Sequence, residues 1–561
     1  MIDAAGTTKY TYYAGGLLNT EDGPWSSDTV TYTYNNRLRA SLSLQQPTGT
    51  WNNGYTWDAA HRLSTETSPA GTFTYTYQSP GALVKKLALP NTSYITNTYD
   101  SVARLTGTYL DNSSNTVLDK SENLYNTGNQ RIRLTRTDGS YYTNSYDNIG
   151  QLVWADSTVA GEDRGYLYDA AWNLNKRTNN GATTTFTVDT KNQLTNGPSG
   201  PFTYDTNGNL TSSASGYISY LYDAENQLVT WGGLSSPTND FSWRTDFVYD
   251  GRGRLRKRTE SFYQSDAWGV VTETRYVYDG MRVIQERNGF NNAPLVSYAR
   301  GSDLSGNFEG AGGIGGLLAR SHAYQSGSGS WTNHNYYHAD GGGNITYMVN
   351  TNQSVVASYR YDPFGNTISS SGTLADANVY RFSSKEFHVN SGMYYYGYRF
   401  YDPNLQRWLN RDPLAEKGHK AFRRACVQCN SSLCKELNVY RYCVNSPTLK
   451  YDAFGLDAED CQEQLGKDMA DIAKEGAKCA AEATGTGLAG AFVSIIAVGV
   501  GWIATETPTG GYVAGGIVAV GWGAVDLCLY KRCMNKVHKK EAAAKKRYDD
   551  CMKKAEDNEV Q

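Results

Sequence analysis

The sequence predicts a mainly β protein, a long array of stacked hairpins followed by a C-terminal α-helical hairpin. Three observations lead to this fold class. The 561 residues include 44 Tyr and 57 Gly, which favour strands and tight turns respectively. A Tyr-Asp unit recurs through the first half of the chain. Tyr-Asp units then vanish at Asp457, beyond which Ala, Lys and Glu favour helix.

The repeating unit reads aromatic-x-Tyr-Asp-x-x-x-(Gln/Arg/Asn)-Leu. Its positions equivalent to Asp lie 16 to 29 residues apart, room enough for two short strands and their turns. These positions are Asn35, Asp58, Gln78, Asp100, Asn126, Asp147, Asp169, Asp189, Asp205, Asp223, Asp250 and Asp279. Alternation of Tyr places aromatic rings on one face of a strand. We therefore interpret the aspartates as turn formers, not as catalysts or Ca²⁺ ligands.

Two features between this array and the next part of the chain are interpreted as structural. Glu309–Leu318 is rich in glycine, but no Lys-Ser/Thr follows it, so it is not a phosphate-binding loop. His338, in Tyr-Tyr-His-Ala-Asp-Gly-Gly-Gly-Asn, is expected to cap a turn and not to bind a metal.

Residues 356–456 carry a second set of motifs. They include Tyr361-Asp362-Pro363-Phe364-Gly365, Arg381-Phe382-Ser383-Ser384-Lys385-Glu386, an aromatic run over 392–403, Arg411-Asp412-Pro413 and Asp452-Ala453-Phe454-Gly455-Leu456. With the Tyr-Asp array, these motifs resemble the RHS/YD-repeat family and its RHS repeat-associated core domain. The resemblance implies that residues 1–355 form a spiral, cocoon-like β-shell, with 356–456 as a plug and 457–561 as a variable region. Because the array is in phase almost from Met1, we expect a C-terminal part of a longer protein.

The resemblance also implies a self-cleaving, aspartyl-protease-like site. Carried over by motif, its catalytic residues are Asp412 and Asp452 with Arg411 beside the first, and the bond cut is Leu456–Asp457. Two adjacent carboxylates share a proton, so that one activates water while the other polarises a carbonyl. The alternative is that both aspartates only form turns. This chain departs from the family at Ala453, where the family has Pro, and through an insertion over 418–436.

The nine cysteines all lie in the last quarter of the chain. Cys426, Cys429, Cys434 and Cys443 permit either zinc binding or two local disulfides. In the tail, Cys461 and Cys479 are 18 residues apart, as are Cys533 and Cys551. Eighteen residues make five helical turns, so each pair shares one helix face. An antiparallel hairpin would then join Cys461 to Cys551 and Cys479 to Cys533, in an oxidising compartment.

The tail also contains two uncharged runs within residues 484–525, separated by a Pro-Thr-Gly-Gly turn. They are interpreted either as a membrane hairpin or as a buried soluble hairpin. No nucleophile–base constellation accompanies them. A net charge of −3 argues against a general nucleic-acid binder.

Two functions follow from these features. The first is an RHS-type toxin-like protein, secreted or in the cell envelope, whose shell encloses and releases its own C-terminal region. Its partners would be that enclosed region, a membrane through 484–525, and a secretion apparatus or an immunity protein, with no cofactor and no nucleic acid. The second is a non-enzymatic surface or secreted repeat scaffold with a disulfide-clamped tail.

Overall fold

The computed structural model describes residues 1–78, 81–233, 242–265, 267–413 and 438–456. The chain divides into two compact units, Met1–Leu456 and Asp457–Gln561, and every described residue belongs to the first. The predicted helical hairpin, the two tail disulfides and the membrane runs lie outside the described residues. So do Cys426, Cys429 and Cys434 of the possible zinc site.

Strands make up 54% of the described unit and helix only 2%, which confirms the mainly β prediction. In chain order they are β1 (Ile2–Asp3), β2 (Gly6–Thr7), β3 (Lys9–Tyr12), β4 (Leu18–Asp22), β5 (Val30–Asn35), β6 (Leu38–Gln45), β7 (Thr50–Trp57), β8 (Leu63–Ser68), β9 (Gly71–Tyr77), β10 (Val84–Ala88), β11 (Tyr94–Tyr99), β12 (Leu105–Asp111), β13 (Val117–Tyr125), β14 (Arg131–Arg136), β15 (Tyr141–Tyr146), β16 (Leu152–Ser157), β17 (Arg164–Tyr168), β18 (Leu174–Asn179), β19 (Ala182–Thr185), β20 (Thr187–Val188), β21 (Leu194–Gly197), β22 (Gly200–Pro201), β23 (Thr203–Tyr204), β24 (Leu210–Ser213), β25 (Ile218–Tyr222), β26 (Leu228–Gly233), β27 (Trp243–Tyr249), β28 (Leu255–Gln264), β29 (Ala267–Asp279), β30 (Arg282–Asn288), β31 (Pro294–Arg300), β32 (Leu317–Gln325), β33 (Ser330–Ala339), β34 (Ile345–Asn350), β35 (Val355–Tyr361), β36 (Thr367–Ser371), β37 (Glu386–His388), β38 (Met393–Tyr395), β39 (Phe400–Asp402) and β40 (Arg407–Trp408). Short 3₁₀ turns occur at Ala214–Gly216, Phe382–Ser384 and Cys443–Asn445.

Each strand of the array pairs antiparallel with the next strand in the chain. One sheet runs in this way from β3 to β19 and a second from β23 to β36, with a small sheet of β20–β22 between them. Two further sheets are formed by β1–β2 and by β37–β40. Antiparallel order follows from the short connections, because parallel strands need a long crossover. The second sheet ends at Ser371, so it continues across the boundary that the motifs suggest near residue 356.

Most repeats turn on their aspartate, or on the residue in its place, in the same way. Asp147 Oδ1 accepts hydrogen bonds from the amides of Ile149 and Gln151 at 3.0 and 2.9 Å. The Gln151 side chain donates to Oδ2 at 2.7 Å, and Gly150 has a φ of +89°. The same two amide bonds recur at Asp58, Asp100, Asn126, Asp169, Asp189, Asp223, Asp250, Asp340 and Asp362. The interpretation of these residues as turn formers is confirmed.

The two polar residues that flank each turn join neighbouring repeats. Tyr168 donates from its hydroxyl to the carbonyl of Leu152, the leucine of the preceding repeat, at 2.9 Å. Asn173 donates to its own Asp169 at 3.0 Å and to Asn192 of the following repeat at 2.9 Å. The tyrosine bond recurs in the pairs Tyr77–Leu63, Tyr125–Leu105, Tyr249–Leu228 and Tyr278–Leu255. The motif therefore encodes both the turn and the stacking of turns.

The two large sheets share a buried core and buried polar contacts. Tyr32, Trp51 and Phe73 of the first sheet belong to one hydrophobic cluster with residues of the second, including Val277 and Tyr336. Between the sheets, Arg39 pairs with Asp279 at 2.7 Å. The cost of burying the two charges is offset because the guanidinium and the carboxylate are ion-paired with each other.

His338 is a second link between the sheets. It lies buried in β33, with Nδ1 2.8 Å from Asp119 and Nε2 3.2 Å from the Thr108 hydroxyl. The expectation that His338 caps a turn is wrong. The turn after β33 is closed by Asp340, two residues later in the chain. Its carboxylate accepts hydrogen bonds from the amides of Gly342 and Asn344.

The segment after the second sheet lies along a row of repeat turns. Side chains between residues 395 and 445 bond to turn residues three or four positions after each repeat aspartate. These bonds are Asn445–Gln151, Asn445–Trp172, Asn438–Asn173, Arg407–Asn192, Tyr440–Gly208, Asn410–Asn226 and Tyr395–Gly253. The carbonyls and side chains at the turns thus position the described parts of this segment, 395–413 and 438–445, which include Arg399 and Asp412 of the candidate site.

Candidate active site

Arg399 and Asp412 form the base of the candidate site. Arg399 immediately precedes β39, and Asp412 follows β40. Their side chains are each 1% exposed, and Nη2 of Arg399 lies 2.6 Å from Oδ2 of Asp412. The guanidinium also packs 4.2 Å from the centre of the Trp408 ring. Burial in aromatic surroundings strengthens the pairing, because little water competes for either charge.

Asp452 closes one more copy of the repeat turn. Its Oδ1 accepts hydrogen bonds from the amides of Phe454, Gly455 and Leu456 at 3.2, 2.7 and 3.0 Å. Gly455 has a φ of +75°, a conformation that glycine adopts without steric cost. In the array, the side chain four residues after the aspartate often bonds Oδ2, but here that residue is Leu456. Oδ2 instead lies 3.5 Å from Nη2 of Arg399.

The two carboxylates therefore meet at a single nitrogen atom of Arg399. Burial raises the pKa of Asp452 to about 6, and the negative charge of Asp412 adds to the rise while Arg399 opposes it. A carboxyl with a pKa near 6 retains its proton in mildly acidic solution, beside a carboxylate that is ion-paired. A protonated acid beside an ionised one is the pairing that acid–base hydrolysis requires.

Comparisons with known proteins were made on the sequence and on the fold. No protein-family model matches the sequence. The tRNA nuclease WapA of Bacillus subtilis (strain 168) is 24% identical over 286 residues, which are 51% of this chain and 10% of that protein. The toxin subunit YenC1 of Yersinia entomophaga is 30% identical over 105 residues, which are 18% of this chain and 9% of that protein.

Solved structures share the fold over most of the chain. The TcdB2–TccC3 complex matches with a TM-score of 0.56 and 17% identity, over 81% of this chain and 26% of that chain. The Tc holotoxin pore of Photorhabdus luminescens matches with a TM-score of 0.58 and 18% identity, over 81% of this chain and 25% of that chain. TccC3 forms an RHS-repeat shell. The chain has the fold of an RHS-repeat shell. It spans 3 to 35% of the length of the first curated relatives that it matches.

This fold brings Asp412 and Asp452 together, as the motifs imply. The residue that contacts both carboxylates is Arg399, which the sequence did not single out. The alkyl part of Arg411 lies against Gly208, where an added Cβ would be 2.6 Å from Cδ of Arg411. A charged residue inside the aromatic run at 392–403 was the available signal for Arg399, since such a residue is buried only with a partner.

The structure describes only some of the other residues that the sequence predicts as sites. Cys443 is buried in the aromatic cluster that includes Phe382, Tyr396 and Tyr442. Within the described ranges, no group of three or more His, Cys, Asp or Glu side chains is placed to hold a metal ion. Within the same ranges, no helix is long and apolar enough to cross a membrane. The bond Leu456–Asp457 has only its first residue in the described part of the chain.

Proposed function

We propose that this protein is an RHS-type toxin-like protein that cuts its own chain after Leu456. The observation that carries the proposal is the convergence of two buried carboxylates, Asp412 and Asp452, on one nitrogen of Arg399. Asp452 lies only four residues before the bond to be cut, in a turn that holds the Leu456 amide. Encapsulating the substrate within the same chain supplies the proximity on which hydrolysis of an unactivated amide depends.

The proposed reaction uses the two carboxyl groups in different roles. Asp412, ion-paired with Arg399, accepts a proton from water as the water oxygen bonds to the carbonyl carbon of Leu456. Asp452, protonated, donates a hydrogen bond to the carbonyl oxygen as negative charge develops there. Collapse of the tetrahedral intermediate breaks the carbon–nitrogen bond. The departing amine of Asp457 takes a proton from the carboxyl pair, and Leu456 retains a new carboxylate.

The cargo in this proposal is residues 457–561. The first compact unit ends at Leu456, which coincides with the bond expected to be cut. The likeness to proteins named as a toxin subunit and a tRNA nuclease supports a toxin-like function for the whole protein. We propose a secreted or envelope location, with enclosure by the β-shell and action of the tail on a membrane.

The proposal is tested by expressing the full chain as wild type and as Asp412→Asn. The wild type is expected to yield a fragment of residues 457–561, whereas Asp412→Asn remains intact because the base is lost. Asp402→Asn is the matched control, since Asp402 is half-buried, also precedes a proline and accepts hydrogen bonds from the turn amides of Asn404 and Leu405. It is expected to cut like the wild type.

An intact chain in all three proteins would overturn self-cleavage. The result would support the alternative, a non-enzymatic surface or secreted scaffold in which Asp452 acts only as a turn former. The three amide bonds to its Oδ1 are what favour that alternative.

A further inference from the structure

The side chain of Asp303 fixes the glycine-rich segment Glu309–Leu318 through hydrogen bonds to its backbone. Asp303 Oδ2 accepts hydrogen bonds from the amides of Ala311 and Gly313 at 2.7 and 3.1 Å. Ala311 and Ile314 are completely buried. The residue between the two bonded amides, Gly312, is therefore presented in a fixed position.

Gly312 faces the turn that contains Asp452. It has a φ of +59°, and a Cβ added to it would lie 1.8 Å from the carbonyl oxygen of Ala453 and 2.5 Å from its carbonyl carbon. Both atoms belong to the backbone, so a side chain at this position would displace the turn. Only glycine permits the observed approach.

Lys385 joins the same two segments. It is 7% exposed, and its Nζ donates to the carbonyl of Gly312 at 2.9 Å and to the carbonyl of Ala453. Burial lowers the pKa of Lys385 to about 7, although the charge of Asp452 opposes that change. Burying an ammonium is costly unless it is hydrogen-bonded. The two carbonyl acceptors offset that cost, and Lys385 thereby joins the two segments.

Three successive carbonyls before the bond to be cut are each held by a different donor. Lys385 bonds Ala453. The amide of Tyr398 donates to the carbonyl of Phe454 at 3.1 Å, and Nε of Arg399 donates to the carbonyl of Gly455. All three bonds are made to the backbone, so they fix position along the chain whatever the side chains are. A slip by one residue would break all three together.

We infer that Gly312 and Lys385 form a backbone-binding cradle that determines which peptide bond is presented to the aspartate pair. Tyr398 and Arg399 complete this cradle of four residues. Its role in specificity rests on the proposed self-cleavage. Arg399 also contacts both aspartates, whereas the other three residues act only by positioning residues 453–455. The substrate class that it accepts is the backbone of an aspartate-closed turn of this same chain.

The first test compares Gly312→Ala with Gly306→Ala in the full chain. Both glycines lie between β31 and β32 with positive φ, +59° and +79°, but no atom lies within 4 Å of a Cβ added at Gly306. Backbone strain is thus similar, and only Gly312→Ala displaces the turn. We expect Gly306→Ala to cut after Leu456 like the wild type. Gly312→Ala should cut at least about tenfold more slowly, or at neighbouring bonds seen in the fragment mass.

A second measurement does not depend on cleavage. In the Asp412→Asn background, hydrogen exchange is followed in peptides that span residues 452–456. Gly312→Ala and Lys385→Met should each speed exchange of these amides at least about tenfold, while Gly306→Ala leaves it unchanged. Thermal unfolding of each variant shows whether the rest of the fold is retained.

The two measurements distinguish failure of the cradle from failure of self-cleavage. If Gly312→Ala behaves like Gly306→Ala in both, the cradle is overturned even when the wild type cuts itself. If the wild type does not cut but the exchange difference is present, self-cleavage fails and the role of the cradle in specificity fails with it, while its binding of residues 453–455 is upheld.

Discussion

At the scale of single residues, the candidate site depends on the different partners of the two carboxylate oxygens of Asp452. Oδ1 closes a turn through three amides, and Oδ2 faces Arg399. The residue that closes the turn is thus the same one that the motifs single out as a catalytic candidate. The motifs were sufficient to predict Asp412 and Asp452, because each occurs in a recognisable short pattern. They were not sufficient for Arg399, Lys385 or Gly312, whose partners are distant in the chain and become neighbours only when the core folds.

Self-cleavage should depend on pH through Asp452. Burial raises the pKa of this carboxyl to about 6, so its protonated form predominates below pH 6 and is lost above it. If that form is the acid, the cleavage rate falls about tenfold for each pH unit above 6. The rate is measured by refolding denatured, uncut chain in buffers from pH 5 to 8. A rate that rises from pH 6 to 8 would show that the proton on Asp452 is not required.

At the scale of the elements, each repeat is specified by three short-range requirements. The aspartate closes the turn, the tyrosine bonds to the repeat before, and the residue four positions after the aspartate bonds the turn and often reaches the repeat after. These contacts follow the spacing in the sequence, which is why the hairpins and their stacking were predictable. His338 was not predictable in this way, because its partner Asp119 belongs to the other sheet.

The tyrosine hydroxyl should contribute measurably to the stacking of repeats. Tyr168→Phe removes the donor to Leu152 and leaves that carbonyl without this bond. We expect the free energy of unfolding to fall by about 0.5–1.5 kcal/mol. Tyr217→Phe, at a side chain that is 53% exposed, should change it by less than about 0.5 kcal/mol. Urea denaturation of both variants provides the comparison, and equal effects would mean that the hydroxyl bond adds nothing to stacking.

At the scale of the whole molecule, the two large sheets and the core segment hold one another in place. The sheets share a hydrophobic cluster and the Arg39–Asp279 pair, and the core segment bonds along a row of turns from Gln151 to Gly253. Sequence periodicity predicts that strands stack, but it does not say which repeats meet across the interior. That information lies in single long-range pairs, which no local pattern reports.

The link between the sheets should show a characteristic acid dependence. Burial acts to raise the pKa of Asp279, but Arg39 and Arg282 overcome it and lower that pKa to about 2. The pKa is lower in the folded than in the unfolded protein, so this stabilisation is present above pH 4 and lost as the pH falls towards 2. Asp279→Asn should therefore reduce the free energy of unfolding at pH 7 by about 2 kcal/mol or more. This difference from the wild type should shrink below pH 4.

The control for this prediction is Asp156→Asn, at an exposed position of β16. It should change the free energy of unfolding by less than about 0.5 kcal/mol at either pH. Denaturation curves at pH 7 and pH 3 are the measurement. An Asp279→Asn effect that is the same at both values would contradict the assigned role of the ion pair.

The central claim is that the chain cuts itself at one bond next to the aspartate pair. Its most direct test is the intact mass and N-terminal sequence of the products formed by the purified wild-type chain, with Asp412→Asn treated identically. The proposed mechanism predicts one new N terminus at Asp457 and one new C terminus at Leu456, both absent from Asp412→Asn. A wild-type chain that remains whole, or a cut that persists in Asp412→Asn, would contradict it.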